Sequence, residues 1–270
     1  MEKADRKTRL AVVSAMLTGS PGRVYSLKVF CDMFGAAKST MSEDISILRG
    51  IFKKYGRGDI EVALGAGGGV KFVPAPSAQQ KEETLQEIAG LLADPSRILP
   101  GGYIYTVDVF SNPQYVTAMG EILASMFARA NPDFVATVET KGIALGFSVA
   151  RALGKPLVIA RRDLKITEGS VVTINYLTGS SRRMVTMSMS KRAMSAGQKA
   201  LLVDDFIAGG GTVHALCEMM KEFSITVVGI GAAIVTRQPE KKQVDNYRAL
   251  LVLEEVDSAA ERIVIHPAQA

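Results

Sequence analysis

Apolar residues at positions 10, 13, 16 and 17 recur at helical spacing and predict a helix from Arg6 to Met16, stopped by Gly19-Ser20-Pro21-Gly22. Leu27, Phe30 and Phe34 predict a second, short helix with Ser26 as its N-cap. After the small turn Gly35-Ala36-Ala37 comes a third. Ser39 caps it, and Ile45, Leu48, Ile51 and Phe52 form its inner face. The period then changes from helical to alternating. Ile60-Glu61-Val62-Ala63-Leu64 and Val70-Lys71-Phe72-Val73 flank Gly65-Ala66-Gly67-Gly68-Gly69, which reads as a hairpin. Three helices on short turns followed by a hairpin describe the winged form of the helix-turn-helix.

Residues 74–80 carry two prolines and no periodicity, so a linker is expected there, with domains at 1–74 and 75–270. A helix follows from Glu82 to Leu92. Ile98 to Tyr105 is a turn entering an extended segment, and Asn112-Pro113 opens a helix through Met119, Ile122, Leu123, Met126 and Phe127. Strands at 133–138, 156–160, 201–203 and 225–230 alternate with helices at 143–153 and after Gly211. Successive βα units predict a parallel sheet covered on both faces, with ligands outside the carboxyl ends of its strands.

Composition narrows the function. Net charge is +5, and all of it lies in residues 1–74, where twelve Lys and Arg face seven Asp and Glu; the rest balances at twenty each. Clustered cations suit nucleic acid, although a solvated basic face would look the same. Lys38, Ser39, Thr40 and Ser42 open the third helix, where recognition helices touch DNA, and Lys71 lies on the hairpin; these five are the candidate DNA-binding residues. Glu43 and Asp44 should face away. Cys31 and Cys217 fit no metal or redox spacing, no signal-peptide core opens the chain, and no apolar run could span a membrane. A cytoplasmic protein is expected.

The chemistry concentrates in Leu201-Leu202-Val203-Asp204-Asp205-Phe206-Ile207-Ala208-Gly209-Gly210-Gly211-Thr212. An apolar strand ends in two carboxylates, then a small-residue turn opens a helix. Glycines let backbone N–H groups reach a phosphate, and a helix N-terminus adds unpaired donors. The carboxylates suit ribose hydroxyls, or Mg2+ shared with a second phosphate. A tight turn with surface aspartates is the alternative. The stretch resembles the phosphoribosyl pyrophosphate (PRPP) motif of type I phosphoribosyltransferases. That family often binds pyrophosphate on a short turn with a non-proline cis peptide, and Glu139-Thr140-Lys141-Gly142 stands at that place. It also carries a mobile hairpin that closes over PRPP. Val171 to Met189 fits this hairpin, with Arg161, Arg162, Lys165, Arg182, Arg183, Lys191 and Arg192 as sources of positive charge.

The chain as a whole resembles the purine operon repressors (PurR) of Gram-positive bacteria. The resemblance rests on 38–44, 65–71, Arg97 to Tyr103, Thr140-Lys141-Gly142, 167–170, Ile174-Asn175-Tyr176 and the PRPP motif, spread in order over residues 5 to 235. It implies a dimeric transcription factor with a winged helix on operator DNA and a phosphoribosyltransferase-like domain, with a hood or flexible hairpin, kept as a sensor without catalysis. PRPP would be its inducer, and guanosine tetraphosphate (ppGpp) an opposing ligand of the same pocket. By position, Asp204, Asp205, Ala208, Gly209, Gly210, Gly211 and Thr212 would hold ribose and 5′-phosphate. Thr140, Lys141 and Gly142 would hold pyrophosphate, while Tyr103 and Phe206 flank a purine base or pack in the core. Ala208 departs from the lysine often found near that place. An active phosphoribosyltransferase and an RNA-binding regulator are the rival readings. His214 and His266 fit no catalytic constellation.

Overall fold

The structure is a computed structural model that describes residues 4–63, 68–162, 169–177 and 184–269. It contains two compact units, Met1–Gln80 with Arg151–Gly154, and Lys81–Ala150 with Lys155–Ala270.

The first unit opens with α1 (Arg6–Gly19), capped by Asp5, whose Oδ1 accepts from Thr8 N at 2.8 Å. α2 (Leu27–Phe34) ends at Gly35, a left-handed residue at φ 58°. α3 (Lys38–Lys54) begins two residues earlier than a Ser39 cap would place it. Ala37, not Ser39, is its N-cap, and no side chain caps it. The left-handed turn at Gly35 leaves Ala37 already extended, so Ser39 falls inside the first turn. A second correction concerns Ile51, which is 42% exposed. The buried stripe of α3 runs through Met41, Ile45, Leu48 and Phe52, and Ile51 lies about 60° round the helix beyond Leu48. β1 (Asp59–Ala63) and β2 (Gly69–Val73) pair antiparallel with Ile60 opposite Phe72 and Val62 opposite Val70. Ile60, Val70 and Phe72 join Val13, Phe30 and Met41 in one core, while Val62, near the turn, is exposed. Residues 64–67, with Gly65, Ala66 and Gly67 of the hairpin turn, lie outside the described residues.

α4 (Ala78–Leu92) starts inside the stretch read as a linker. Ser77 N donates to Gln80 Oε1 at 3.0 Å and Gln80 N to Ser77 Oγ at 3.2 Å, a capping box that starts the helix early. The small hairpin β3 (Ile98–Leu99) and β4 (Tyr103–Ile104) leads to α5 (Val107–Ser111), which the apolar pattern did not predict. In α6 (Pro113–Met126), Asn112 caps as expected, accepting from Gln114 N at 2.9 Å.

Then follow β5 (Phe134–Val138), α7 (Gly142–Leu153), β6 (Leu157–Ala160), the antiparallel pair β7 (Val171–Leu177) and β8 (Met184–Ser190), β9 (Lys199–Ile207), α8 (Gly211–Glu222), β10 (Thr226–Thr236), β11 (Tyr247–Asp257) and β12 (Arg262–Pro267). One six-stranded sheet has the order β12-β11-β10-β9-β5-β6. All its pairings are parallel except β11 with β12. β10 shows how the two faces are covered. Ile230 and Ala232 belong to the core that includes Leu216 and Met220 of α8. Gly229 and Gly231 point the other way, where a Cβ would lie 2.7 and 3.0 Å from the Phe127 ring at the end of α6. No helix among the described residues is long and apolar enough to cross a membrane.

Candidate functional site

β5 and β9 are parallel neighbours, with Val135 opposite Leu201 and Ala136 opposite Leu202. Both therefore end at the same edge of the sheet. After β5 the chain turns through Glu139, Thr140 and Lys141, with a cis peptide between Glu139 and Thr140, and enters α7 at Gly142. After β9 it turns through Ala208, Gly209 and Gly210, and enters α8 at Gly211. The start of α7 comes within side-chain distance of the acidic pair of β9. A Cβ placed on Gly142 would lie 3.3 Å from Asp204 Oδ1 and 2.5 Å from Thr137 Oγ1. The 139–142 turn and the acidic pair thus border one space.

The acidic pair differs from the expectation in one respect. Asp204 and Asp205 lie within β9, not at its end, because β10 continues the pairing to Ile234 opposite Phe206 and Val235 opposite Ile207. Asp204 is buried, and the Asp205 N–H donates to its Oδ1 at 3.0 Å. Burial first, then the neighbouring Asp205 charge, pushes the Asp204 carboxyl well above the usual carboxylate range. Burial also raises Asp205, against the opposing pull of Lys141. A desolvated acidic pair beside a cation favours a ligand that brings hydroxyl donors to the carboxylates and anionic oxygens to the cation.

The glycine turn is shaped for close approach. Gly210 is left-handed at φ 82° and is the N-cap of α8, so the free N–H groups of the first helical turn open onto the sheet edge. Gly211 is buried and Thr212 half-buried. On the other turn Thr140 and Lys141 are exposed and Gly142 is buried. Lys141 Nζ donates to Thr106 Oγ1 at 3.2 Å. Glu139 fixes its turn to the end of β6, accepting from Arg162 N at 2.6 Å and from Arg161 Nη1 at 3.4 Å. Tyr103 is 57% exposed on β4, its ring against Gly101, and Phe206 is half-buried on β9. No ring stacking joins these two among the described residues. Lys165, Arg182 and Arg183, with Thr167 and Glu168 of the 167–170 segment, lie outside the described residues. His214 is exposed on α8.

A further wall of the site has no signal in the local sequence. Residues 237–246, after β10, fold against the glycine turn: Gln243 N donates to Gly209 O at 2.9 Å, and Val244 Cγ2 lies 3.1 Å from where Gly210 would carry a Cβ. Lys242 is buried and holds that segment together, donating to Thr236 O at 2.8 Å and Pro239 O at 2.6 Å. Thr106 and Thr137 were likewise unmarked, because neither belongs to a motif.

In the first unit, Lys38, Ser39 and Ser42 are exposed along the start of α3, with Thr40 half-buried. Glu43 and Asp44 turn away as expected, Glu43 to Arg6 at 3.0 Å and Asp44 to Arg9 at 2.6 Å. Lys71 pairs with Glu61 across the hairpin at 3.1 Å. A concavity of about 880 Å3 lies between α2, α3 and the hairpin, lined by Lys28, Lys38, Ser42, Val62, Gly68 and Gly69 among others. Lys28, Lys38 and Ser42 bring basic and hydroxyl groups to a lining that is otherwise mostly apolar, with Leu27, Ile45 and Val70 among it.

A winged helix and a type I phosphoribosyltransferase fold in one chain define a two-part protein. Comparison with known proteins makes this specific. The model of the bacterial purine repressor N-terminal domain matches residues 5–74, and that of the phosphoribosyl transferase domain residues 107–267. The purine biosynthesis transcriptional repressor PurR of Bacillus subtilis (strain 168) is 39% identical over 263 residues, 97% of this chain and 92% of the relative. The purine biosynthesis transcriptional activator PurR of Lactococcus lactis subsp. lactis (strain IL1403) is 36% identical over 258 residues, 96% and 95% of the two chains. Adenine phosphoribosyltransferase from Rhodothermus marinus DSM 4252 shares the fold at a TM-score of 0.54 and 21% identity, over 66% of this chain and all of that one (100%). The chain belongs to the PurR family of bacterial purine biosynthesis transcriptional regulators.

Proposed function

We propose that this protein is a dimeric repressor of purine biosynthesis genes whose winged helix binds operator DNA and whose second unit senses PRPP. PRPP is the inducer. Its ribose hydroxyls donate to Asp204 and Asp205, its 5′-phosphate sits on the turn Ala208 to Thr212, and its pyrophosphate takes Thr140, Lys141 and Gly142. ppGpp competes for the same turns as an opposing signal. Tyr103 and Phe206 flank the base of that nucleotide. A Mg2+ ion arrives with the pyrophosphate; among the described residues no cluster of three or more His, Cys, Asp or Glu would hold a resident metal. Regulation without catalysis is the reading that the regulator names of the relatives support.

The observation that carries this proposal is the approach of Gly142, at the end of the 139–142 turn, to Asp204 of the acidic pair. A ligand moves an equilibrium only by binding its two states unequally. PRPP therefore weakens operator binding by preferring the DNA-free conformation. Gel-shift titration with and without PRPP tests this. Wild type is expected to lose operator affinity as PRPP rises, and Asp204→Ala to lose that response. An unchanged response in the variant would remove Asp204 from the site. Release of pyrophosphate from PRPP and a nucleobase at enzyme-like rates would show a phosphoribosyltransferase instead of a sensor.

A further inference from the structure

Thr137 lies in β5, two residues before the cis peptide, and is wholly buried. Its hydroxyl has no hydrogen-bond partner among the described residues. Most buried polar side chains have a partner, and leaving one without is costly, whereas valine would fill the same space at no such cost. The hydroxyl is also aimed at a definite place. The point where Gly142 would carry a Cβ is 2.5 Å from Thr137 Oγ1 and 3.3 Å from Asp204 Oδ1. Because Gly142 has no side chain, the space that borders both oxygens stays open. One turn along α7, the corresponding point on Gly146 is 3.0 Å from Thr137 Cβ, so two glycines seat the helix on this threonine.

Resting on the PRPP reading above, we infer that Thr137 is a positioning residue of the effector pocket, its hydroxyl donating to the Asp204 carboxylate in the state that binds ribose. Asp204 is neighboured by Asp205 on its own strand, it borders the Gly142 space together with Thr137 of β5, and the Arg162 charge reaches it from beyond β6. The ionised carboxylate is the form that accepts ribose hydroxyls, and burial works against that form. A donor that is idle without ligand and engaged with it strengthens binding by its whole gain. Retaining an unpaired hydroxyl in the core then has a functional reason.

The test compares full-length wild type, Thr137→Val and Thr137→Ser. PRPP affinity is measured by calorimetry, with melting temperature and PRPP-free operator affinity alongside. Thr137→Val should lose PRPP affinity by about tenfold or more, melt no lower than wild type, and bind operator normally. Thr137→Ser keeps the hydroxyl and should stay within about threefold of wild type. A packing role alone predicts the reverse order, with valine tolerated and serine impaired, and that result overturns the inference. So does equal affinity in all three proteins. If valine prevents folding, serine decides alone: wild-type affinity supports the inference and loss overturns it. If wild type itself does not bind PRPP, the pocket reading fails and the inference falls with it.

Discussion

Asp44 and Arg9 form the most deeply buried ion pair described in the chain, with side chains 0% and 9% exposed and Arg9 Nε 2.6 Å from Asp44 Oδ2. The pair joins α1 to α3, and Arg6 adds a second contact at 3.4 Å. Removing one partner leaves a desolvated charge, so Asp44→Ala should cost about 3–5 kcal/mol of stability in the first unit. Denaturant unfolding measures this. The double change Arg9→Met with Asp44→Leu should recover much of the loss, since an apolar pair needs no counter-charge. That Asp44 should face away from DNA was legible, because DNA would repel an acid. That it is fully buried was not, because its partner stands 35 residues earlier. Asp204 is a similar case: the acidic pair stood out in the sequence, whereas its contact with Gly142 joins residues 62 positions apart.

Elements with local causes matched their patterns. α2 stops where Gly35 supplies a left-handed residue, and α6 starts where Asn112 precedes Pro113. Elements whose limits depend on a neighbouring strand did not. β9 runs on through its carboxylates because β10 pairs with it, and β11 and β12 went unpredicted, although they complete the sheet. α8 combines both kinds of cause. Its glycine start was visible, but Gly210 is also pressed by Val244 from the 237–246 segment. Gly210→Ala must hold a Cβ at φ 82° with a methyl 3.1 Å away. It should cost about 1–2 kcal/mol for the left-handed backbone alone. PRPP affinity should fall with it, because the turn proposed to cradle the 5′-phosphate is displaced. A melting curve and a PRPP titration of the same sample check both effects.

For the whole molecule, charge divides the labour. The surplus of five lies in residues 1–74, and the remaining residues are balanced. Operator affinity should therefore fall steeply as salt rises, with the logarithmic slope reporting about 0.9 per phosphate neutralised. Lys38→Ala should lower that slope by about 1 while leaving PRPP binding unchanged, as fluorescence anisotropy across a salt series would show. Three helices and a hairpin, a βα alternation, an acidic pair and two glycine turns were all legible in the sequence. Each depends on spacing along a few turns of chain, where side-chain period and backbone freedom act locally. Only the tertiary structure decided that Thr137, Gly142 and Asp204 share one point and that residues 237–246 support the glycine turn. These contacts arise when parallel strands distant in sequence pack side by side, and no local pattern encodes which side chains then meet.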